Sequence, residues 1–180
     1  MKISRWQRIK WAVPLVLYLT TIIDSALPSI FPTQFLGHSQ TIISHLTLFY
    51  IINFAFYFRD SNILLYSFLF GLFYDSYNTT ILGLYAILYW MIAYFILKIK
   101  RYFPKRPIIL ALLFLLIISA LDFCVFVFYR EINFTSITLT NFLADRLTPT
   151  LIFNIVFMIL LYIPNKHLLR WLGYEDYIIF

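Results

Sequence analysis

The segment Ile108-Ile109-Leu110-Ala111-Leu112-Leu113-Phe114-Leu115-Leu116-Ile117-Ile118-Ser119-Ala120-Leu121-Asp122-Phe123-Cys124-Val125-Phe126-Val127-Phe128-Tyr129 decides the solvent in which this chain folds. It runs for 22 residues with one charged side chain, Asp122. As a helix it would be about 33 Å long, matching a bilayer hydrocarbon core of about 30 Å. Pro104 and Pro107 stand just before it, where proline ends one helix or opens the next. The whole chain has this character. Of its 180 residues, 62% are hydrophobic, 21% aromatic and only 12% charged. Mean hydropathy is +0.84. A soluble domain carries roughly 25% charged residues, so this chain cannot coat a water-facing surface. A soluble enzyme, a disordered tail and a nucleic-acid binder are excluded as whole-chain readings.

The same length criterion, carried outward, predicts an all-α integral membrane protein. It is a single polytopic domain over residues 1–180, with spans at about 11–30, 40–58, 61–77, 81–97, 108–129 and 142–163. Arg59-Asp60 makes the link between the second and third spans a tight hairpin. The sixth span is the least regular, because Asp145, Arg146 and Pro149 fall in its first turns. Residues 133–147 could instead lie along the interface, leaving a span from about residue 147. Beyond the last span, Leu168, Leu169, Trp171 and Leu172 with Lys166 and Arg170 predict a short interfacial helix.

Charge placement sets the expected orientation. Twelve of the fourteen Lys and Arg fall before span one or after spans two, four and six; only Arg130 and Arg146 fall on the other side. The positive-inside rule then puts both termini in the cytoplasm of a six-span bundle. The net charge of +6 is therefore one-sided and suits an anionic membrane surface rather than nucleic acid. The first span lacks a small-x-small cleavage pattern at its end and reads as a retained helix. Asn78-Thr79-Thr80 and Asn133-Phe134-Thr135 match the glycosylation acceptor pattern but lie too close to the membrane to carry weight.

Ionisable side chains inside spans are costly and by default face the bundle interior or water. Asp24, Asp75, Asp122 and His45 each lie 13 or 14 residues from the inner end of their spans. All four therefore sit at one depth, about 20 Å from the inner edge. Asp145 and Arg146 sit somewhat further out. One reading is an outer polar layer of Asp24, His45, Asp75, Asp122 and Arg146, in which His45 or Arg146 neutralises one or more carboxylates. The other is that each Asp caps or frays a helix near the headgroups and meets water separately. His38 and His45 lack a third metal ligand at suitable spacing, and the lone Cys124 offers neither a disulfide nor a metal site. No phosphate loop, zinc helix or nucleophile elbow is present, so no enzyme activity and no cofactor are expected. Thr20, Thr21, Ser67 and Ser119 are expected to bond backbone carbonyls or neighbouring helices.

The most distinctive local pattern is Gly71-Leu72-Phe73-Tyr74-Asp75, followed by Gly83-Leu84-Tyr85-Ala86. Gly71 and Asp75 are four apart and share a helix face, which predicts close helix approach beneath a polar group. Gly83 opens the next helix, where its missing side chain would allow two hairpin helices to cross closely. At these residues the chain resembles the MreD family of rod shape-determining membrane proteins. The later Pro149-Thr150-Leu151-Ile152-Phe153-Asn154 is similar to a weaker feature of that family's last span. The resemblance implies a non-catalytic component of the cell-elongation machinery in a bacterial cytoplasmic membrane. Its implied partners are MreC and, in the wider assembly, RodA-type glycosyltransferases and penicillin-binding proteins of peptidoglycan synthesis.

The rival expectation is the substrate-binding S component of an energy-coupling-factor vitamin transporter, whose fold MreD-like proteins distantly resemble. Against it, residues 11–30 contain no Ala-x-x-x-Ala, and the outer loops are short for a lid. In its favour, a shared polar depth is what an outward-opening pocket would produce. A lipid-handling enzyme lacks a credible catalytic pair.

Overall fold

The computed structural model describes residues 5–37, 40–58 and 62–174. His38 and the Arg59-Asp60 link, both named above, lie outside the described residues. The elements in chain order are α1 (Arg5–Ile30), α2 (Pro32–Phe35), α3 (Leu46–Tyr57), α4 (Ile63–Asn78), α5 (Leu84–Ile99), α6 (Pro107–Glu131), α7 (Leu139–Phe142) and α8 (Thr148–Trp171). A π-turn over Leu143–Leu147 joins α7 to α8. Among the described residues, three helical runs are long and apolar enough to cross a membrane: Trp6–Ile30, Pro107–Glu131 and the continuous Leu139–Trp171. The chain is thus an all-α, multi-span membrane protein.

At the centre lies α3, in which all twelve residues are buried. A helix that is apolar all round has no polar face to offer water and belongs in a core. α1 and α5 pack against it most closely, with α4 and α6 beside it, and α8 packs on α6. α4 and α5 form the tightest hairpin. A Cβ on Gly71 would lie 2.5 Å from the Ala86 Cα and 2.9 Å from the Tyr85 carbonyl oxygen, so only glycine permits this approach. Lipid-facing surface is supplied by side chains such as Trp11, Leu116 and Leu160, which are 76%, 64% and 66% exposed. Cys124 is on this exposed surface.

Three sequence expectations are corrected. The span over 40–58 is helical only from Leu46; residues 42–45 form no regular element, and Leu36 pairs with Thr41 as an isolated antiparallel bridge. The run Thr41-Ile42-Ile43 is β-branched, and such residues lose side-chain freedom in a helix. The predicted interfacial helix of Leu168–Leu172 is not separate: α8 runs through Pro164 to Trp171 without a break. Gly83 has a different reason from the one expected. A Cβ there would meet nothing within 4 Å, but its φ of +100° is the left-handed conformation that L side chains rarely adopt. Elsewhere, Thr20, Thr21, Ser67 and Ser119 each donate to a carbonyl of their own helix, at 2.7–3.0 Å.

Candidate functional site

The non-helical residues 41–45 enter the bundle with backbone groups that no helix ladder satisfies. In a membrane these groups must find partners inside the protein. Side chains from distant helices supply them. The Ile43 amide donates to Thr150 Oγ1 at 3.1 Å, and Asn154 Nδ2 donates to the Ile43 carbonyl at 2.8 Å. The His45 amide donates to Asn154 Oδ1 at 3.0 Å. The Thr41 amide reaches the Asp145 carbonyl at 2.8 Å and the Ile42 amide that of Phe35 at 2.9 Å. Asn154 thus works as a two-pronged clamp, one amide group answering both a carbonyl and an N–H.

The start of α3 is closed by Asp24, six residues before the end of α1. Its Oδ1 accepts from Ser44 Oγ at 2.5 Å and from the Leu46 amide at 3.0 Å; its Oδ2 accepts from the Thr47 amide at 2.8 Å. The first amides of a helix lack intrahelical partners and carry partial positive charge, so a carboxylate there is favourable. Asp75 does the same for α5. It accepts from the amides of Gly83, Tyr85 and Ala86 at 3.0–3.2 Å, and from Thr79 Oγ1 at 3.1 Å.

Deeper in the bundle, His45 Nε2 lies 3.4 Å from Asp122 Oδ1, with both side chains fully buried. Among the described residues this is the one contact between a basic and an acidic side chain within 4.0 Å, and neither side chain makes a hydrogen bond. Arg146 pairs with no carboxylate among the described residues. It sits in the π-turn, where it lines a cavity of about 990 Å³. Other walls of that cavity come from Asp24, Tyr74, Asn78, Tyr85 and Tyr129.

The five residues grouped by depth therefore divide into four settings. His45 meets Asp122; Asp24 closes α3; Asp75 closes α5; Arg146 lines the cavity. Asp24, Asp75 and Asp122 are all buried, and Asp24 and Asp75 each cap the helix that follows. Sequence reasoning missed Thr150 and Asn154 as partners of the non-helical segment, and Ser44 as a partner of Asp24. An amide inside the apolar run Leu151–Leu161 was a visible signal for Asn154. Among the described residues no three potential metal ligands cluster.

Comparison with known proteins follows this geometry. Residues 6–172 match the family described as "rod shape-determining protein MreD". The chain is similar to the rod shape-determining protein MreD of Bacillus subtilis (strain 168), with 23% identity over 157 residues. That alignment covers 87% of this chain and 91% of the relative. No solved structure shows a significant match. With the match running from the first turn of α1 to the end of α8, the chain belongs to the MreD family of rod shape-determining proteins.

Proposed function

We propose that this chain is a membrane scaffold of the cell-elongation machinery, acting on cell shape and peptidoglycan synthesis by helix packing with partners. MreD-family proteins are not enzymes. The observation that carries the reading is the family match over residues 6–172, on a chain whose described residues form helices and short links only. What it can offer a partner is lipid-facing helix surface, on which a single-span protein such as MreC would pack. RodA-type glycosyltransferases and penicillin-binding proteins would join through the wider assembly.

The chain crosses the bacterial cytoplasmic membrane six times with both ends inside. Two features support this. Arg8 Nη1 in the second turn of α1 donates to the Trp171 carbonyl at the end of α8 at 2.7 Å, so both ends lie together and the number of crossings is even. The twelve residues of α3 would reach only about 18 Å, and the non-helical residues 41–45 before it lengthen this crossing toward a core of about 30 Å. The basic inner face would also hold anionic lipid.

Depletion in the native host is the test. Loss of elongated growth, together with co-purification of MreC, supports the scaffold. The cavity of about 990 Å³ favours a second reading, the S component of a vitamin transporter. Retained cell shape with lost vitamin uptake would decide for that reading.

A further inference from the structure

Arg146 is placed by an unusual piece of backbone. The π-turn Leu143–Leu147 is bounded by helix on both sides, and Thr148 Oγ1 donates to the Leu143 carbonyl at 2.8 Å. Such turns insert a residue into a helix and re-aim its side chains, frequently at functional sites. Here Arg146 lines the cavity, and its Nε is buried without a hydrogen-bond partner. A buried donor left unanswered is costly. The chain's own carboxylates do not answer it. Asp24 lines the same cavity, but both its oxygens are occupied by Ser44, Leu46 and Thr47. Asp145 also lines it, yet is exposed and makes no ion pair with Arg146 within 4.0 Å.

The remaining walls define what else would fit. Tyr74, Tyr85, Phe126, Tyr129 and Phe142 present ring surface, with Asn78 as a polar neighbour. The volume of about 990 Å³ is at the upper end of small-ligand sites, which run roughly 300–1,000 Å³. A guanidinium is a planar fork that matches carboxylate and phosphate oxygens.

We propose that the cavity between α1, α4, α6 and the π-turn binds an anion, carboxylate or phosphate, through Arg146, with the body that carries the anion packed on the tyrosine and phenylalanine walls. The anion has two sources, a soluble small molecule or the headgroup of an anionic lipid. The proposal goes beyond the scaffold reading and stands apart from it: failure here would leave the shape phenotype of depletion untouched.

The test is arginine-selective modification of the full-length wild-type protein with phenylglyoxal, read by peptide mass spectrometry. Phenyl phosphate is the soluble probe, in dodecylmaltoside. At about ten times its Kd it should slow modification of Arg146 roughly tenfold. Arg130, exposed and outside the cavity, is the internal control and should react at an unchanged rate. In phosphatidylglycerol nanodiscs without the probe, protection of Arg146 relative to detergent identifies a lipid headgroup as the source; protection by phenyl phosphate alone identifies a soluble one. The probe should also raise the melting temperature of wild type and of Arg130→Gln, but not of Arg146→Gln. Equal Arg146 reactivity under all conditions overturns the proposal, as does equal protection of Arg130. Because the modification is read on wild type, the test holds even where Arg146→Gln does not fold.

Discussion

Asp24 and Lys100 close opposite ends of the central helix α3. Asp24 accepts from the Leu46 and Thr47 amides at 3.0 and 2.8 Å, while Lys100 Nζ donates to the Ala55 and Phe58 carbonyls at 2.8 and 2.9 Å. A carboxylate at the N-terminus and an ammonium at the C-terminus each complement the helix dipole. α3 is only twelve residues long and sealed from water, so these two side chains do what solvent does for an exposed helix.

Asp24→Ala should therefore be severely destabilising. It removes an acceptor from two buried backbone amides and from Ser44. A loss of about 3 kcal/mol is expected, with Asp24→Asn losing less because one acceptor oxygen survives. Unfolding in detergent measures both; equal stability of Asp24→Ala and wild type would show that α3 does not need this cap.

The two glycines of the α4–α5 hairpin should fail differently. Gly71→Ala places a methyl against backbone that cannot give way, costing about 1–3 kcal/mol, and Gly71→Leu should prevent the hairpin from closing. At Gly83 space is open and only φ matters, so Gly83→Ala should cost about 1 kcal/mol and Gly83→Asn less, since Asn tolerates the left-handed region. Thermal unfolding of the four variants checks the order; a Gly83→Asn protein as damaged as Gly71→Ala would contradict it.

His45 and Asp122 should be energetically coupled. Removing one partner of a buried pair leaves the other uncompensated, at about 3 kcal/mol or more, whereas removing both costs less than the sum. The cycle uses His45→Gln, Asp122→Asn and the double variant, read by unfolding. Strict additivity would mean that the 3.4 Å approach carries no interaction. A stable double variant that fails to support elongated growth would assign the pair to function rather than to folding.

Asn154→Leu should cost about 2 kcal/mol, although it makes the helix more apolar. The amide holds the Ile43 carbonyl and the His45 amide of the non-helical segment, and both lose their partner. Faster hydrogen exchange at His45 should accompany the loss. Unchanged exchange there would show that the segment is held by Thr150 and Asp24 alone.

Membrane class and the glycine hairpin were legible because they depend on local, additive properties. Hydropathy sums along a segment, and Gly71 and Asp75 share a face by helical spacing alone. The start of α3 was not legible. Thr41-Ile42-Ile43 is as apolar as a helix and as β-branched as a strand, so periodicity cannot separate the two. The depth of the polar residues was readable, but depth is one coordinate; rotation around each helix decides which carboxylate meets which group.

From sequence alone came the solvent, the helical class and the family resemblance, since each is a sum or a pattern along the chain. The tertiary structure decided that residues 41–45 stay out of the helix, that Asp24 and Asp75 close the helices that follow, and that Arg146 lines a cavity. The physical reason is hydrogen-bond satisfaction without water. In the bundle each exposed amide and carbonyl needs a specific partner, and those of Ile43 and His45 come from α8, 107 to 111 residues further along the chain.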